Sequence, residues 1–254
     1  MNHLSVLLLL FAAFVGCSQE KGSLDYDPTL DSSAGPVPLP SVNEELDGPQ
    51  LNDSGIYYYL ALGDSYTKGE SVERAKSFPF QLTTRLEQEL KVEVNTEVLA
   101  QTGWTTSNLL DALISGTSRT SYNLVTLLIG VNNQYQGKSF NIYIREFSQL
   151  LDSAIALAYG NPKNVVVISI PDYAYTPFAE GRDRSKISEE IDEYNAHAKS
   201  VALQKGVPFL NITDITRNGL SNPELVATDG LHPSAQAYTA FVGALYPMIL
   251  PVFE

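Results

Sequence analysis

Apolar residues occur in short continuous runs along most of the chain. Residues 57–62, 124–129 and 165–170 form such runs, and each is followed directly by a glycine or a proline. Runs of this length predict strands that are buried on both faces of a sheet. Residues 92–100 alternate between apolar and polar side chains, which predicts a strand near a sheet edge. Residues 207–212 predict a short fifth strand.

Between these runs, apolar residues recur at the spacing of amphipathic helices. Helices are predicted after Ser77, from a cap at Thr106 or Ser107 to Ile114, over residues 140–158 and 187–205, and from Ser234. Strands that alternate with helices are typical of a doubly wound α/β fold. We therefore expect a three-layer α/β/α sandwich with a mostly parallel five-stranded sheet, in one domain over residues 56–254. No internal repeat or second domain is indicated.

Charge is unevenly distributed over the 254 residues, whose formal net charge is −13. Residues 18–55 contain eight acidic residues and one lysine, together with many Pro, Gly and Ser residues. This composition predicts a disordered acidic tether. The chain has no basic stretch, which argues against nucleic acid as a partner. Its single cysteine excludes an intrachain disulfide and two-cysteine metal motifs, and no cofactor or metal site is predicted.

The amino terminus carries a twelve-residue apolar run, residues 4–15, directly before the only cysteine, Cys17. The run is too short to span a membrane but suits a signal peptide. It resembles the lipobox of bacterial lipoproteins, with two departures: Phe14 replaces the usual leucine, and the first residues include His3 but no Lys or Arg. The resemblance implies a signal peptide at 1–16 and a lipidated Cys17 that begins the tether at 17–55. It also implies an exported protein, anchored to a bacterial membrane and facing the periplasm or the cell exterior. An ordinary secretory signal and a short buried segment are the alternatives.

Residues suited to acyl chemistry follow the predicted strands. Ser65 comes after the first strand, Gly103 after the second and Asn132 after the third, while Asp229 and His232 share one loop before the last helix. The carboxyl ends of parallel strands form the edge at which ligands bind. A serine, a histidine and a carboxylate there are the components of a catalytic triad. Each residue alone also fits a turn or a helix cap, so the set of five carries the interpretation.

At these positions the sequence resembles the SGNH hydrolases, the GDSL-type esterases. The motifs that match are Gly63-Asp64-Ser65, Gly103, Gly130-x-Asn132 and Asp229-x-x-His232. The resemblance implies that Ser65 is the nucleophile, His232 the general base and Asp229 its orienting carboxylate. It also implies an oxyanion hole formed by the backbone N–H groups of Ser65 and Gly103 and the Asn132 side chain. Tyr66 and Asn133 replace the leucine and the aspartate that are usual in the family.

These motifs predict a serine esterase, either lysophospholipase-like or acetylesterase-like, that acts on a small-molecule, lipid or glycan ester. The alternatives are an acyltransferase that uses the same triad, a flavodoxin-like cofactor protein and a binding lipoprotein without catalysis. The common α/β-hydrolase elbow is absent, because Thr67 occupies the position of its second glycine. The long loop after the fourth strand is predicted to contact substrate. The predicted substrate contacts are Tyr66, Trp104, Tyr175, Phe178 and Arg182.

Overall fold

The computed structural model describes residues 55–253 and forms one five-stranded sheet in which every neighbouring pair of strands is parallel. Its order is β2-β1-β3-β4-β5. The strands are β1 (Ile56–Gly63), β2 (Glu93–Ala100), β3 (Leu124–Leu128), β4 (Val165–Ile168) and β5 (Phe209–Leu210). The predicted fold class is therefore confirmed. The signal segment, Cys17 and most of the tether lie outside the described residues, so these remain predictions.

Eight α-helices lie between and after the strands in the described part of the chain. They are α1 (Ser65–Lys68), α2 (Phe78–Leu90), α3 (Thr106–Ser115), α4 (Val131–Tyr135), α5 (Phe140–Leu157), α6 (Arg184–Gln204), α7 (Thr213–Thr216) and α8 (Ala235–Ile249). Helix α2 packs against α8, whereas α5 packs against α3 and α6. The segment Ala235–Val252 is long and apolar enough to cross a membrane. In this fold, however, α8 is a core helix that buries Tyr238, Phe241 and Leu245.

Burial along the sheet follows the pattern of the sequence. All residues of β3 and β4 are buried, as are the last five of β1. The alternating strand β2 lies at the sheet edge, and only Val94 among its residues is fully buried. Layers of helices cover the central strands on both faces. A continuous apolar run therefore indicates a central strand, and alternation of apolar and polar residues indicates an edge strand.

Three predicted boundaries shift because side chains replace backbone hydrogen bonds. Strand β4 ends at Ile168, and the N–H of Ile170 donates to Asn195 Oδ1 at 2.7 Å. Strand β5 is shorter than predicted because the N–H of Ile212 donates to Ser169 Oγ at 2.8 Å. The cap of α3 is Thr105, which forms a capping box with Asn108, rather than Thr106 or Ser107.

Candidate active site

The turn between β1 and α1 holds Ser65. Strand β1 ends at Gly63, where a Cβ atom would lie 2.1 Å from Thr67 Oγ1 and 2.3 Å from the carbonyl oxygen of Leu128. Only glycine therefore allows this close approach to β3. Asp64 caps α1, because its Oδ1 accepts from the N–H of Tyr66 at 3.0 Å. Ser65, the first residue of α1, is only 5% exposed. The turn is thus fixed by packing on one side and by a helix cap on the other.

A second loop brings Asp229 and His232 together. Asp229 Oδ2 lies 2.6 Å from His232 Nδ1, and Oδ1 accepts from the N–H groups of Leu231 at 2.9 Å and His232 at 3.0 Å. Ser234 caps the following helix by accepting from the N–H of Ala237. An ionised Asp229 can only accept, so Nδ1 carries the proton and Nε2 is left as a proton acceptor. This is the state that a general base requires.

The two aspartates near these turns have opposite electrostatic environments. Burial raises the pKa of Asp64 to about 7, although backbone N–H groups favour its charged form. Partial burial also acts to raise the pKa of Asp229, but hydrogen bonds from Ser71, His232 and two backbone N–H groups outweigh it and hold the pKa well below its usual range. Asp229 is therefore the carboxyl group that stays charged at neutral pH beside the imidazole.

The Gly103 and Asn132 loops are tied to each other. Asn132 Nδ2 donates to the carbonyl of Trp104 at 3.0 Å, and Gln136 Nε2 donates to the carbonyl of Gly103 at 3.0 Å. Gly103 has a φ of +84°, in the left-handed region that favours glycine. One hydrogen of the Asn132 amide is used in this contact, and the second is left for a ligand.

Asn133, one of the two departures from the family pattern, is completely buried and hydrogen-bonded. Its Oδ1 accepts from the N–H of Thr106 at 2.9 Å, and its Nδ2 donates to Thr106 Oγ1 at 2.7 Å. Thr106 Oγ1 then donates to Glu146 Oε2 at 2.6 Å. A carboxylate at residue 133 has no hydrogen to donate to the Thr106 hydroxyl. The Asn133 amide can donate to Thr106 while Glu146 supplies the one negative charge of this hydrogen-bonded group.

Ser65, Gly103, Asn132 and His232 line one cavity of about 310 Å³. We call these four residues the polar wall. Asp229 does not line the cavity, but it hydrogen-bonds to the lining residues His232 and Leu231. Three further residues, Tyr135, Tyr173 and Phe178, line the cavity and form the aromatic wall. The remaining lining residues are Tyr66, Thr102, Val131 and Leu231. A larger groove of about 430 Å³ lies between α2 and α8 and includes none of these residues.

The aromatic wall was only partly foreseen. Its rings pack on one another, with centroids 5.9–6.2 Å apart. Of the predicted substrate contacts, Tyr66 and Phe178 line the cavity, whereas Trp104, Tyr175 and Arg182 do not. Trp104 contributes its carbonyl to Asn132 instead. Tyr135 was missed, although it lies three residues after Asn132, a spacing that places two side chains on one face of a helix.

Two arginines in the loop after β4 have different surroundings. Arg184 donates to the carbonyls of Ala174 and Thr176, so it ties the loop together. The Arg182 guanidinium lies 4.6 Å from the ring centroid of Phe178 and 5.5 Å from that of Tyr135. Within residues 55–253, no carboxylate forms an ion pair with Arg182. A positive charge is thus placed over two rings of the aromatic wall.

Comparison with known proteins identifies the family of the chain. Residues 61–240 match the GDSL-like Lipase/Acylhydrolase family, and the chain belongs to that family. It is therefore a carboxylic ester hydrolase of the GDSL (SGNH) type, rather than a flavodoxin-like cofactor protein. No curated protein sequence matches the chain.

Solved structures share the fold at low sequence identity. A crystal structure of TesA superposes with a TM-score of 0.62 at 16% identity, over 77% of this chain and 99% of that one. A variant of Axe2, an acetyl xylan esterase from Geobacillus stearothermophilus, gives 0.60 at 17% identity, over 76% and 94% of the two chains. A lipase/acylhydrolase from Enterococcus faecalis gives 0.57 at 21% identity, over 76% and 95%.

Proposed function

We propose that the protein hydrolyses carboxylic esters through an acyl-enzyme on Ser65. The observation that carries this proposal is the polar wall, in which Ser65, Gly103, Asn132 and His232 line one cavity. Asp229, outside the cavity, hydrogen-bonds to Nδ1 of the His232 imidazole. A nucleophile, a base and hydrogen-bond donors around one cavity are the parts that acyl transfer needs.

The reaction follows from these positions. Nε2 of His232 takes the proton of Ser65 Oγ as Oγ attacks the ester carbonyl carbon. The resulting oxyanion accepts hydrogen bonds from the N–H groups of Ser65 and Gly103 and from the Asn132 amide. The imidazolium returns its proton to the leaving alcohol, and the acyl group remains on Ser65. Water, deprotonated by the same nitrogen, then releases the acid and restores the serine.

Replacement of the nucleophile tests this mechanism. Ser65→Ala should reduce hydrolysis of nitrophenyl esters by at least about 10³-fold, without a change in the melting temperature. An activated phosphonate should add one phosphonyl group to Ser65 of the parent protein, seen by mass spectrometry, and none to the variant. Ser153→Ala, at a partly buried serine of α5 whose hydroxyl donates to the Gln149 carbonyl, is the matched control. Activity of Ser65→Ala within tenfold of the parent excludes Ser65 as the nucleophile.

The second part of the proposal concerns the substrate. The cavity volume of about 310 Å³ is at the lower end of the range for ligand pockets, which favours a short acyl or alcohol group. The aromatic wall supplies apolar contact for that group. Arg182 lies outside the cavity but against two of its rings, so it offers a cation to a phosphate or carboxylate that extends from the substrate beyond these rings. We therefore infer an ester that carries both a small apolar group and an anionic group.

Paired substrates test this inference. Nitrophenyl butyrate and nitrophenyl hemisuccinate differ in acyl charge, and phenyl acetate and acetoxyphenyl phosphate differ in alcohol charge. Arg182→Gln should lower kcat/KM for an anionic ester roughly fivefold to tenfold and leave its neutral partner unchanged. Arg119→Gln is the control, because Arg119 stacks on Tyr58, which does not line the cavity, whereas Arg182 stacks on two rings that do. Equal losses on neutral and anionic esters contradict a role in charge selection.

We also propose that Cys17 is acylated and that the protein is exported and anchored to a bacterial membrane. The support is the sole cysteine after an apolar run and before an acidic, proline-rich segment. Cys17→Ala should abolish incorporation of labelled palmitate and move the protein from the membrane to the soluble fraction. A parent protein that is soluble and unlabelled contradicts the anchor.

A further inference from the structure

Ser71 contacts the same carboxylate oxygen that holds the catalytic imidazole. Its Oγ donates to Asp229 Oδ2 at 2.5 Å, and that oxygen also lies 2.6 Å from His232 Nδ1. The two partners are 158 residues apart in the chain. The family motifs quoted above do not include Ser71. Among the described residues, it is the one side chain besides His232 that hydrogen-bonds to Asp229.

The loop that carries Ser71 starts from the nucleophile. The N–H groups of Gly69 and Glu70 both donate to the carbonyl oxygen of Ser65 at 3.0 Å. Ser71 itself has a φ of +65°, which non-glycine residues seldom adopt. A position that favours glycine thus holds a serine, and the serine hydroxyl donates to Asp229. The loop links the Ser65 carbonyl to the Asp229 carboxylate.

We propose that Ser71 is a positioning residue of the catalytic site, which holds the Asp229 carboxylate against His232 and fixes both relative to the nucleophile turn. The proposal rests on the function proposed above. Without Ser71, the loop of residues 229–232 has no side-chain hydrogen bond from Asp229 to the nucleophile loop. The carboxylate then keeps only the imidazole and the two local N–H groups of Leu231 and His232.

The hydrogen bond also affects the charge on Asp229. A hydroxyl that donates to a carboxylate stabilises its charged form and weakens its attraction for a neighbouring cation. Loss of the hydroxyl should strengthen the attraction between Asp229 and the protonated imidazole of His232. His232 should then remain protonated, and unable to accept the serine proton, up to a higher pH. The other ionisable groups near this pair are Tyr66, whose ring packs against His232, and Glu70 and Tyr238. None of these three hydrogen-bonds to Ser71.

Two substitutions separate the hydroxyl from the backbone. Ser71→Ala keeps the Cβ atom at positive φ, whereas Ser71→Gly relieves that conformation, and both lose the hydroxyl. Both should lower kcat about tenfold with KM unchanged within about twofold. Both should also move the acidic limb of the kcat/KM profile to higher pH by roughly 0.3 to 0.5 units. Ser71→Asn, which tolerates positive φ and offers an amide donor, should recover part of the rate. Ser153→Ala should match the parent.

A double-mutant cycle completes the test. In an Asp229→Asn background, Ser71→Ala should have no further effect on the rate at which the phosphonate labels Ser65. The same tenfold loss in that background overturns the proposal. The proposal is also overturned if the Ser71 variants keep the acidic limb of the parent while their melting temperature falls, since Ser71 would then only pack the loop. A Ser65→Ala variant that remains active contradicts the proposed function instead, because it concerns the nucleophile and not Ser71.

Discussion

The polar wall and the aromatic wall face the same cavity but are held in different ways. The residues of the polar wall lie in or beside turns that are fixed by helix caps and by hydrogen bonds, such as that of Asn132 to the Trp104 carbonyl. The aromatic wall is held mainly by ring contacts, and Tyr135 is 47% exposed. Hydrogen bonds fix direction, whereas ring contacts tolerate small shifts. We therefore expect changes in the polar wall to affect rate and changes in the aromatic wall to affect substrate choice.

After the nucleophile itself, the largest effect is expected at Asn132. Asn132→Ala removes a proposed oxyanion donor and should lower kcat about 10²-fold or more, with little change in KM, because a hydrogen bond to the oxyanion strengthens in the transition state. Steady-state kinetics on nitrophenyl acetate measure both constants. Asn218→Ala, whose side chain contacts only backbone carbonyls near α7, is the control. A rise in KM at constant kcat would place Asn132 among the substrate-binding residues instead.

A smaller loss is expected at Asn133. Asn133→Asp places a second carboxylate near Glu146 and removes the donor to Thr106 Oγ1. We expect kcat to fall roughly tenfold and the protein to be destabilised by about 1–3 kcal/mol. Both losses should be partly reversed by Glu146→Gln in the double variant, since that change removes the charge repulsion. Urea unfolding and kinetics of the four proteins test this. Equal behaviour of the single and double variants would show that charge is not the cause.

The aromatic wall should respond differently. Phe178→Ala should change the relative kcat/KM of nitrophenyl esters from acetyl to palmitoyl by a few-fold, because it enlarges the cavity. Tyr175 lies outside the cavity and is 36% exposed, so Tyr175→Ala should leave the preference unchanged. Thermal denaturation of both variants is measured alongside. If both change stability and neither changes preference, the loop after β4 serves packing only.

The smallest effect on activity, but a clear one on stability, is expected at Asp64 beneath the polar wall. Burial raises its pKa to about 7, from 3.8 for an ordinary aspartate. The folded protein therefore binds this proton more tightly than the unfolded chain, and stability is lost as the pH rises from about 4 to 7. Asp64→Asn keeps a side-chain oxygen to cap α1 and cannot ionise.

Urea unfolding at two pH values measures this effect. The stability of Asp64→Asn relative to the parent should increase between pH 5 and pH 8, by at most roughly 1.4 kcal/mol per pH unit. Asp111→Asn, at an exposed residue of α3, should show no such trend. A difference that stays constant with pH would show that Asp64 is charged throughout this range.

The comparison of the two walls also explains what the sequence could predict. Continuous apolar runs mark β1, β3 and β4 because these strands are buried on both faces, and parallel strands bring their following turns to one edge. Ser65, Gly103 and Asn132 could therefore be placed together from the sequence, and the family motif Asp229-x-x-His232 joined His232 to them. Their catalytic roles remain proposals that the experiments above test.

Other features depend on tertiary contacts that leave no local pattern. Ser71 is one of several polar residues in a turn, and its partner is 158 residues away. Tyr175 and Phe178 were equivalent in the sequence, but the turn at Tyr173–Tyr175 directs only Tyr173 and Phe178 to the cavity. The sequence does not distinguish Arg182 from Arg184. The structure does, because the Arg184 guanidinium donates to two carbonyls of its own loop.

One consequence follows from the direction of β1. This strand begins at Ile56 and ends at Gly63, two residues before Ser65. Eight extended residues span roughly 26 Å, so whatever precedes Ile56 is joined to the domain at the end of the sheet opposite to the cavity. A surface attached just before Ile56 therefore meets the domain about one strand length away from Ser65. Immobilising the domain through an added group before Ile56 should leave its turnover of soluble esters unchanged.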